Sequence, residues 1–287
     1  MKSDVTCGEN GNKRGGLRER GILKCTLPGA PLISIILPVF NGGATLAEAV
    51  ASVARQSYDN IELIVVDGAS TDNSLDIILA NEDSIDIWTS QPDLGVYDAM
   101  NKGVDLANGD WLYFLGSDDA LLDVLHEIVP YLNDPNVIYY GDVQQASGRT
   151  SFDGFSRHRI IRRNIPHQAI VYPRSVFRKY RYELKYPVAA DYHLNLRCFG
   201  DSSFGFVKIP CVLALFNDSS GISSTRNDAA FAADKPRLVR EYLGCLAYLE
   251  LAIRTGLKEL EKNIFRKGYR RLTGRSRASR KDAGGSR

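Results

Sequence analysis

From Leu32 onward, short apolar runs alternate strictly with amphipathic ones, and this alternation limits what the chain can become. ISIILPV (33–39) has the length and β-branched content of a strand buried on both faces. A helical period follows, with Leu46, Ala49, Val50 and Val53 on one face and Thr45-x-x-Glu48 at its start, which predicts a capping box. IELIVV (61–66) reads as a second strand. After it come the loop DGASTDN, a helix through SLDIILA, a strand near IDIWTS, a helix over VYDAMNKGVDLA and the strand WLYFL. Such a chain folds as a mostly parallel sheet with right-handed crossovers and helices on both faces. The expected class is α/β, with one Rossmann-like central sheet.

Open sheets of this kind bind ligands beyond the carboxyl ends of their strands. Phe40 and Asn41 leave the first strand, Asp67 the second, Asp93 follows the third, and Asp118 and Asp119 the fourth, so all are expected along one edge. Charge sharpens this picture. Residues 32–142 carry 19 acidic side chains against two basic ones, Arg55 and Lys102, whereas 143–253 carry 16 basic against 9 acidic. The acid surplus predicts a positive visitor. Asp118 and Asp119, adjacent at the end of a buried strand, have two readings: one of them caps a helix starting near Ala120, or together they hold a cation.

The remaining organisation is plainer. Residues 1–31 are rich in glycine and charge without an apolar period, which reads as a flexible leader. Residues 32–142 form the ligand-binding half, and 143–228 a second half of the same domain. Residues 229–287 read as a C-terminal helical region with a basic tail. No apolar run reaches the ~20 residues of a membrane span and no secretion signal opens the chain, so a cytoplasmic protein is expected. Five scattered cysteines without a C-x-x-C pair suggest reduced thiols. No G-x-G-x-x-G follows the first strand, which argues against a dinucleotide-binding enzyme, and the acidic body argues against a nucleic-acid partner.

ISIILPVFN, IELIVVDGASTDNS, QPDLGVYDAMNKGVDLANGDWLYFLGSDD, and more weakly IPHQA and AADYHLNLR, together resemble the inverting glycosyltransferases of family 2, over roughly residues 33–220. More narrowly, they are similar to bacterial members that build surface polysaccharides. The resemblance implies a GT-A fold with an acceptor-side subregion and C-terminal helices, a nucleotide-sugar donor of the UDP-sugar type, and Mg²⁺ or Mn²⁺. It implies a glycan or lipid-linked glycan acceptor. By the same resemblance Asp119 and Asp118 would hold the metal, with Asp118 also near the ribose. Asp67 would read the base, with Pro38, Phe40 and Asn41 around it, and Asp191 would be the catalytic base. The family's Asp-x-Asp becomes Gly116-Ser117-Asp118 here, and its Asp-Asp-Gly-Ser becomes Asp67-Gly68-Ala69-Ser70.

Helical spacing places Asp98, Asn101 and Lys102 on one face, where a nucleotide or phosphate could be met. Each is equally readable as part of a solvated helix face, Asp67 as part of a turn, and Asp191 as a helix cap. His167 and Gln168 in IPHQA, and Arg162 and Arg163 in the basic stretch, are acceptor-side candidates. Arg157, Arg159 and the basic tail suggest an anionic acceptor or the membrane surface bearing it. Two rival readings are a sugar-nucleotide binder without turnover, encouraged by Gly116 and Gly68, and a nucleotidyltransferase. The latter would want a cation in the loop PVFNGGATL, which has none.

Overall fold

In the computed structural model, which describes residues 6–7, 12–145, 148, 150–151, 155–217 and 227–256, the apolar runs become strands of one sheet. In chain order these are β1 (Thr6–Cys7), β2 (Lys13–Gly15), β3 (Ile33–Val39), β4 (Ile61–Asp67), β5 (Ile87–Ser90), β6 (Trp111–Phe114), β7 (Ala120–Leu121), β8 (Val137–Gln145), β9 (Thr150–Ser151), β10 (Ile170–Pro173) and β11 (Gly205–Phe216). Their spatial order is β1-β2-β5-β4-β3-β6-β10-β8-β11-β7, with β9 beside β8. The four strands β5, β4, β3 and β6 are parallel. Every residue of β3 and β4 is buried, as strands between two helical layers must be.

The period-two alternation of β3 sorts its side chains between two cores. Ile33, Ile35, Leu37 and Val39 pack with Leu46, Ala49, Val50 and Val53 of helix α1 (Leu46–Ala54) and Ile78 of α2 (Ser74–Ala80). Ile36 packs on the other face with Tyr97, Met100 and Val104 of α3 (Val96–Leu106). Gly103 permits that approach, since a methyl group there would overlap Ile36. The chain runs from β3 outward through β4 and β5, then returns to place β6 on the other side of β3. The crevice at this reversal is where open sheets hold ligands.

Beyond β6 the sheet becomes mixed. β10 lies antiparallel between β6 and β8, β11 runs parallel to β8, and β7 is antiparallel to β11. The helix considered from about Ala120 is therefore not formed: Ala120 and Leu121 pair with Leu215 and Ala214, and the next helical turn is Leu125–Ile128. The capping box at Thr45 is also absent. Backbone bonds from Thr45 and Leu46 to Gly42 O, each 3.0 Å, close that turn, and Glu48 pairs with Arg55 at 2.5 Å. The C-terminal helix Ala229–Leu243 begins on an Asp228 cap, whose side chain accepts from Phe231 N at 2.9 Å, and is interrupted at Gly244. Among the described residues no helix is long and apolar enough to cross a membrane. The basic tail from 257 onward lies outside them.

The expected leader needs correction. Its part from Lys13 onward is built onto the sheet, with β2 antiparallel to β5. Three of its cations meet acids of the first half: Arg18 with Glu62, Arg20 with Asp83 at 2.7 Å, and Lys24 with Asp86 at 3.0 Å. Part of the acid surplus is thus answered from within the chain. Glu62 is buried beside Ser34 Oγ and the amides of Asn108 and Gly109, which donate to Oε1 at 2.5 and 3.0 Å, and the Arg18 guanidinium pairs with its Oε2. Arg18→Ala would leave that charge enclosed without its partner. We expect a loss of about 3–5 kcal/mol in urea unfolding; a change below about 1 kcal/mol would show that Ser34 and the amides suffice.

Candidate active site

The loops after β3 and β4 are fastened to each other. Asn41 and Ala69 adopt left-handed backbone angles, with φ of 52° and 61°. Asn41 N donates to Ser70 Oγ at 2.8 Å, Thr71 N donates to Asn41 Oδ1 at 2.8 Å, and Gly43 N donates to Asp72 Oδ2 at 2.9 Å. Phe40 stands out from this loop, 62% exposed, while Pro38 is buried within β3. Asp67 is fully enclosed. Its carboxylate takes hydrogen bonds from Ser70 Oγ at 2.5 Å, Ser90 Oγ at 2.6 Å and Ser70 N at 3.2 Å.

At the next strand end, the buried carboxylate of Asp119 joins three parts of the chain. Its Oδ1 accepts from Asn217 N at 2.9 Å and its Oδ2 from Gln168 Nε2 at 2.6 Å. Burial pushes the Asp119 carboxyl up from the usual carboxylate range, against the pull of those two donors. Gly116 forms the floor: a Cβ there would lie 2.5 Å from Asp119 Oδ2 and 3.1 Å from Asp118 Oδ1. Two carboxylate oxygens therefore converge over a residue with no side chain. This arrangement suits a hard divalent ion, which takes one or two carboxylates and completes its shell with phosphate and water oxygens. No third acid, histidine or cysteine joins them into a larger cluster among the described residues. The pair borders a cavity of about 590 Å³ between α1 and the β8–β11 edge, lined also by Thr45, Glu48, Gln144 and Asn217.

Asp191 lies in the first turn of the helix Ala190–Gly200, and more than capping engages it. Oδ1 accepts from Tyr97 Oη at 2.9 Å and Tyr192 N at 2.7 Å, and Oδ2 from Asn164 Nδ2 at 2.8 Å. Burial first, then the Asp191 charge, push the Tyr97 phenol well above its ordinary value, so it stays a donor. Asn164 is itself held by Asn195 Nδ2 at 2.8 Å, and Asn195 by Tyr172 Oη at 2.8 Å. His167 Nδ1 lies 3.7 Å from Asp191 Oδ2. His167 and Gln168, consecutive in a single 3-10 turn, thus reach the two acids from one place. Asn164 and Asn195 were not legible as site residues, because a buried amide relay leaves no spacing signature.

Other candidates are occupied elsewhere. Asn101 exchanges two hydrogen bonds with the backbone of Tyr182, at 2.9 and 3.0 Å, and so ties α3 to the second half instead of facing a nucleotide. Lys102 donates to Pro92 O at 2.9 Å and pairs with Asp98 at 3.1 Å, and Asp98 accepts from Leu94 N at 3.1 Å. That trio braces the loop 92–95, so the expected phosphate contact of Lys102 is not set up. Arg162 and Arg163 are exposed. Arg157 donates to Leu243 O.

Comparison with known proteins fits this geometry. Residues 34–197 match Glycosyl transferase family 2. A "PGL/p-HBAD biosynthesis glycosyltransferase" of Mycobacterium bovis (strain BCG / Pasteur 1173P2) is 40% identical over 221 residues, covering 74% of this chain and 86% of the relative. Among solved structures, S. aureus TarS in complex with UDP-GlcNAc superposes with a TM-score of 0.57 at 18% identity, over 74% of this chain and 71% of that one. The mannosyltransferase PcManGT from Pyrobaculum calidifontis, in complex with GDP-Man and Mn²⁺, gives 0.53 at 17% identity, over 78% and 64%. The shared fold is GT-A.

The floor at Gly116 yields a stability test. In Gly116→Ala the methyl group must displace the Asp119 carboxylate and with it the bonds to Gln168 and Asn217. We expect a loss of about 1–3 kcal/mol by denaturant unfolding; no loss would mean that the carboxylate swings aside freely.

Proposed function

The chain belongs to glycosyltransferase family 2, and from that premise we propose that it transfers a sugar from a UDP-sugar donor to a hydroxyl of a glycan or lipid-linked glycan. The place of this reaction is cell-surface polysaccharide biosynthesis, and the anomeric carbon inverts. One observation carries the reading: His167 and Gln168 bridge the acid at the end of β6 and the acid heading the helix Ala190–Gly200. In this reading the acid serving the leaving group and the acid serving as base are approached by neighbouring residues of one turn. The nucleotide-sugar complexes of TarS and PcManGT support the donor class.

In a single displacement, the acceptor oxygen bonds to the anomeric carbon as the bond from that carbon to the diphosphate oxygen breaks. The hydroxyl proton passes to Asp191, and the bonding pair leaves with the diphosphate. Tyr97 and Asn164 hold the Asp191 carboxylate in one orientation, so that little rearrangement is needed when the proton arrives. Asp118 and Asp119 would hold Mg²⁺ or Mn²⁺, which when bound supplies positive charge to the departing diphosphate. Gln168 and the Asn217 amide keep Asp119 aimed over Gly116. Exposed Arg162 and Arg163, and the exposed Leu246, Leu249 and Ile253 on residues 245–256, support an acceptor presented at the inner, anionic face of a membrane.

Two measurements test the reading. Asp191→Asn is expected to lower UDP-sugar turnover by roughly 10²–10⁴-fold, while calorimetry finds UDP affinity unchanged; retained turnover would remove Asp191 from the role of base. Asp119→Asn is expected to weaken Mn²⁺ binding in the presence of UDP by at least about tenfold, followed by the free-ion paramagnetic resonance signal. Equal Mn²⁺ affinity in the variant would take the cation away from this pair.

A further inference from the structure

Gly68 follows the last residue of β4, and its missing side chain is put to use. A methyl group added there would overlap Asp93 Oδ2 and come within 3.0 Å of Asp93 Cγ. Asp93, on the loop after β5, therefore lays its carboxylate across the end of β4, in the space the glycine leaves. Gly95 N donates to Asp93 Oδ1 at 2.8 Å. Among the described residues no hydrogen bond reaches Oδ2. The side chain is half-buried. Burial pushes its carboxyl up from the usual range, with the charges of Asp98 and Asp67 adding to the shift and the Gly95 amide and Lys102 opposing it. It is an anion short of donors, at the strand ends where a ligand belongs.

Asp67 is the reverse case. It is fully enclosed, and both oxygens already take donors from Ser70 and Ser90. A ligand would have to open that fastening to reach it. Asp93 meets no such obstacle, and Phe40 is close in the chain of contacts: Gly68 N donates to Val39 O at 2.9 Å, one residue before the exposed Phe40 ring.

Resting on the nucleotide-sugar reading above, we infer that Asp93, and not Asp67, reads the nucleobase, that the base it selects is uracil, and that Asp67 positions the loop. One open carboxylate oxygen matches the single ring N–H of uracil at N3. Guanine offers two adjacent donors and is matched by a carboxylate with both oxygens open. Cytosine presents a lone pair at N3, which the anion repels. Phe40 gives the ring a face to stack on.

The test is calorimetry of UDP, CDP and GDP on the full chain and on two variants, with thermal unfolding to confirm that each is folded. In Asp93→Asn the amide can donate to cytosine N3, so UDP affinity is expected to fall by about tenfold or more while CDP affinity holds or rises. Asp93→Ala is expected to lose UDP affinity to a similar extent without the gain for CDP. UDP affinity within about twofold of the unmodified chain in both variants, or equal losses for all three nucleotides, overturns the assignment. Preference of the unmodified chain for GDP overturns it while leaving the nucleotide-sugar reading in place. Binding of none of the three overturns that reading and this assignment together.

Discussion

Three strands lying parallel and in register hold the rest in place: β3 between β4 and β6, from Ile33 opposite Ile61 and Trp111 to Ile36 opposite Ile64 and Phe114. Because their side chains are buried on both faces, a slip of one residue would exchange the two cores and is strongly resisted. The strand ends are consequently fixed relative to one another. Phe40, Asp67 and the Asp118–Asp119 pair, far apart in sequence, leave the sheet at the same edge. Function is legible there because the register leaves these residues no other place to go.

Burying carboxylates is costly, and this chain offsets the cost differently at its two ends. At the start of β4, Glu62 receives a cation from the N-terminal segment and behaves as an internal ion pair. At the end of β6, the hydrogen bonds given to Asp119 come from neutral donors, Gln168 and the amide of Asn217, and burial pushes its carboxyl up against their pull. An anion compensated by dipoles keeps an unmet demand for positive charge, whereas one already paired with arginine does not. The contrast distinguishes an acid matched by an ion pair from the acid to which the proposed mechanism assigns the cation. Composition alone could not draw that line, since both count equally in the acidic surplus of residues 32–142.

The long elements were legible in advance. Seven-residue buried strands and the eleven-residue α3 carry a period that no competing pattern imitates. Short ones were not. β2 is the three residues Lys13–Gly15, two cations and a glycine held between β1 and β5, too short and too polar for a periodicity search to find. β7 has two residues and exists because β11 is there to receive it. Within the site, acids at strand ends could be named from position, but the neighbours that orient them could not. Asn164 sits in a stretch whose visible feature is its arginines, and Lys102 looked available because the Pro92 carbonyl that joins Asp98 in holding it comes from the folded loop before α3.

Asn41 and Ala69 each hold a backbone conformation that side-chain-bearing residues adopt at a cost of order 1 kcal/mol, and the hydrogen bonds between their loops keep them in it. That energy is committed when the polypeptide folds, long before any small molecule arrives. On the proposed nucleotide-binding role, affinity at this edge is therefore partly written into global stability. Heat, urea or a distant core substitution that slackens β3 against β4 should erode recognition before it unfolds the protein, so that loss of binding becomes an early report of damage elsewhere.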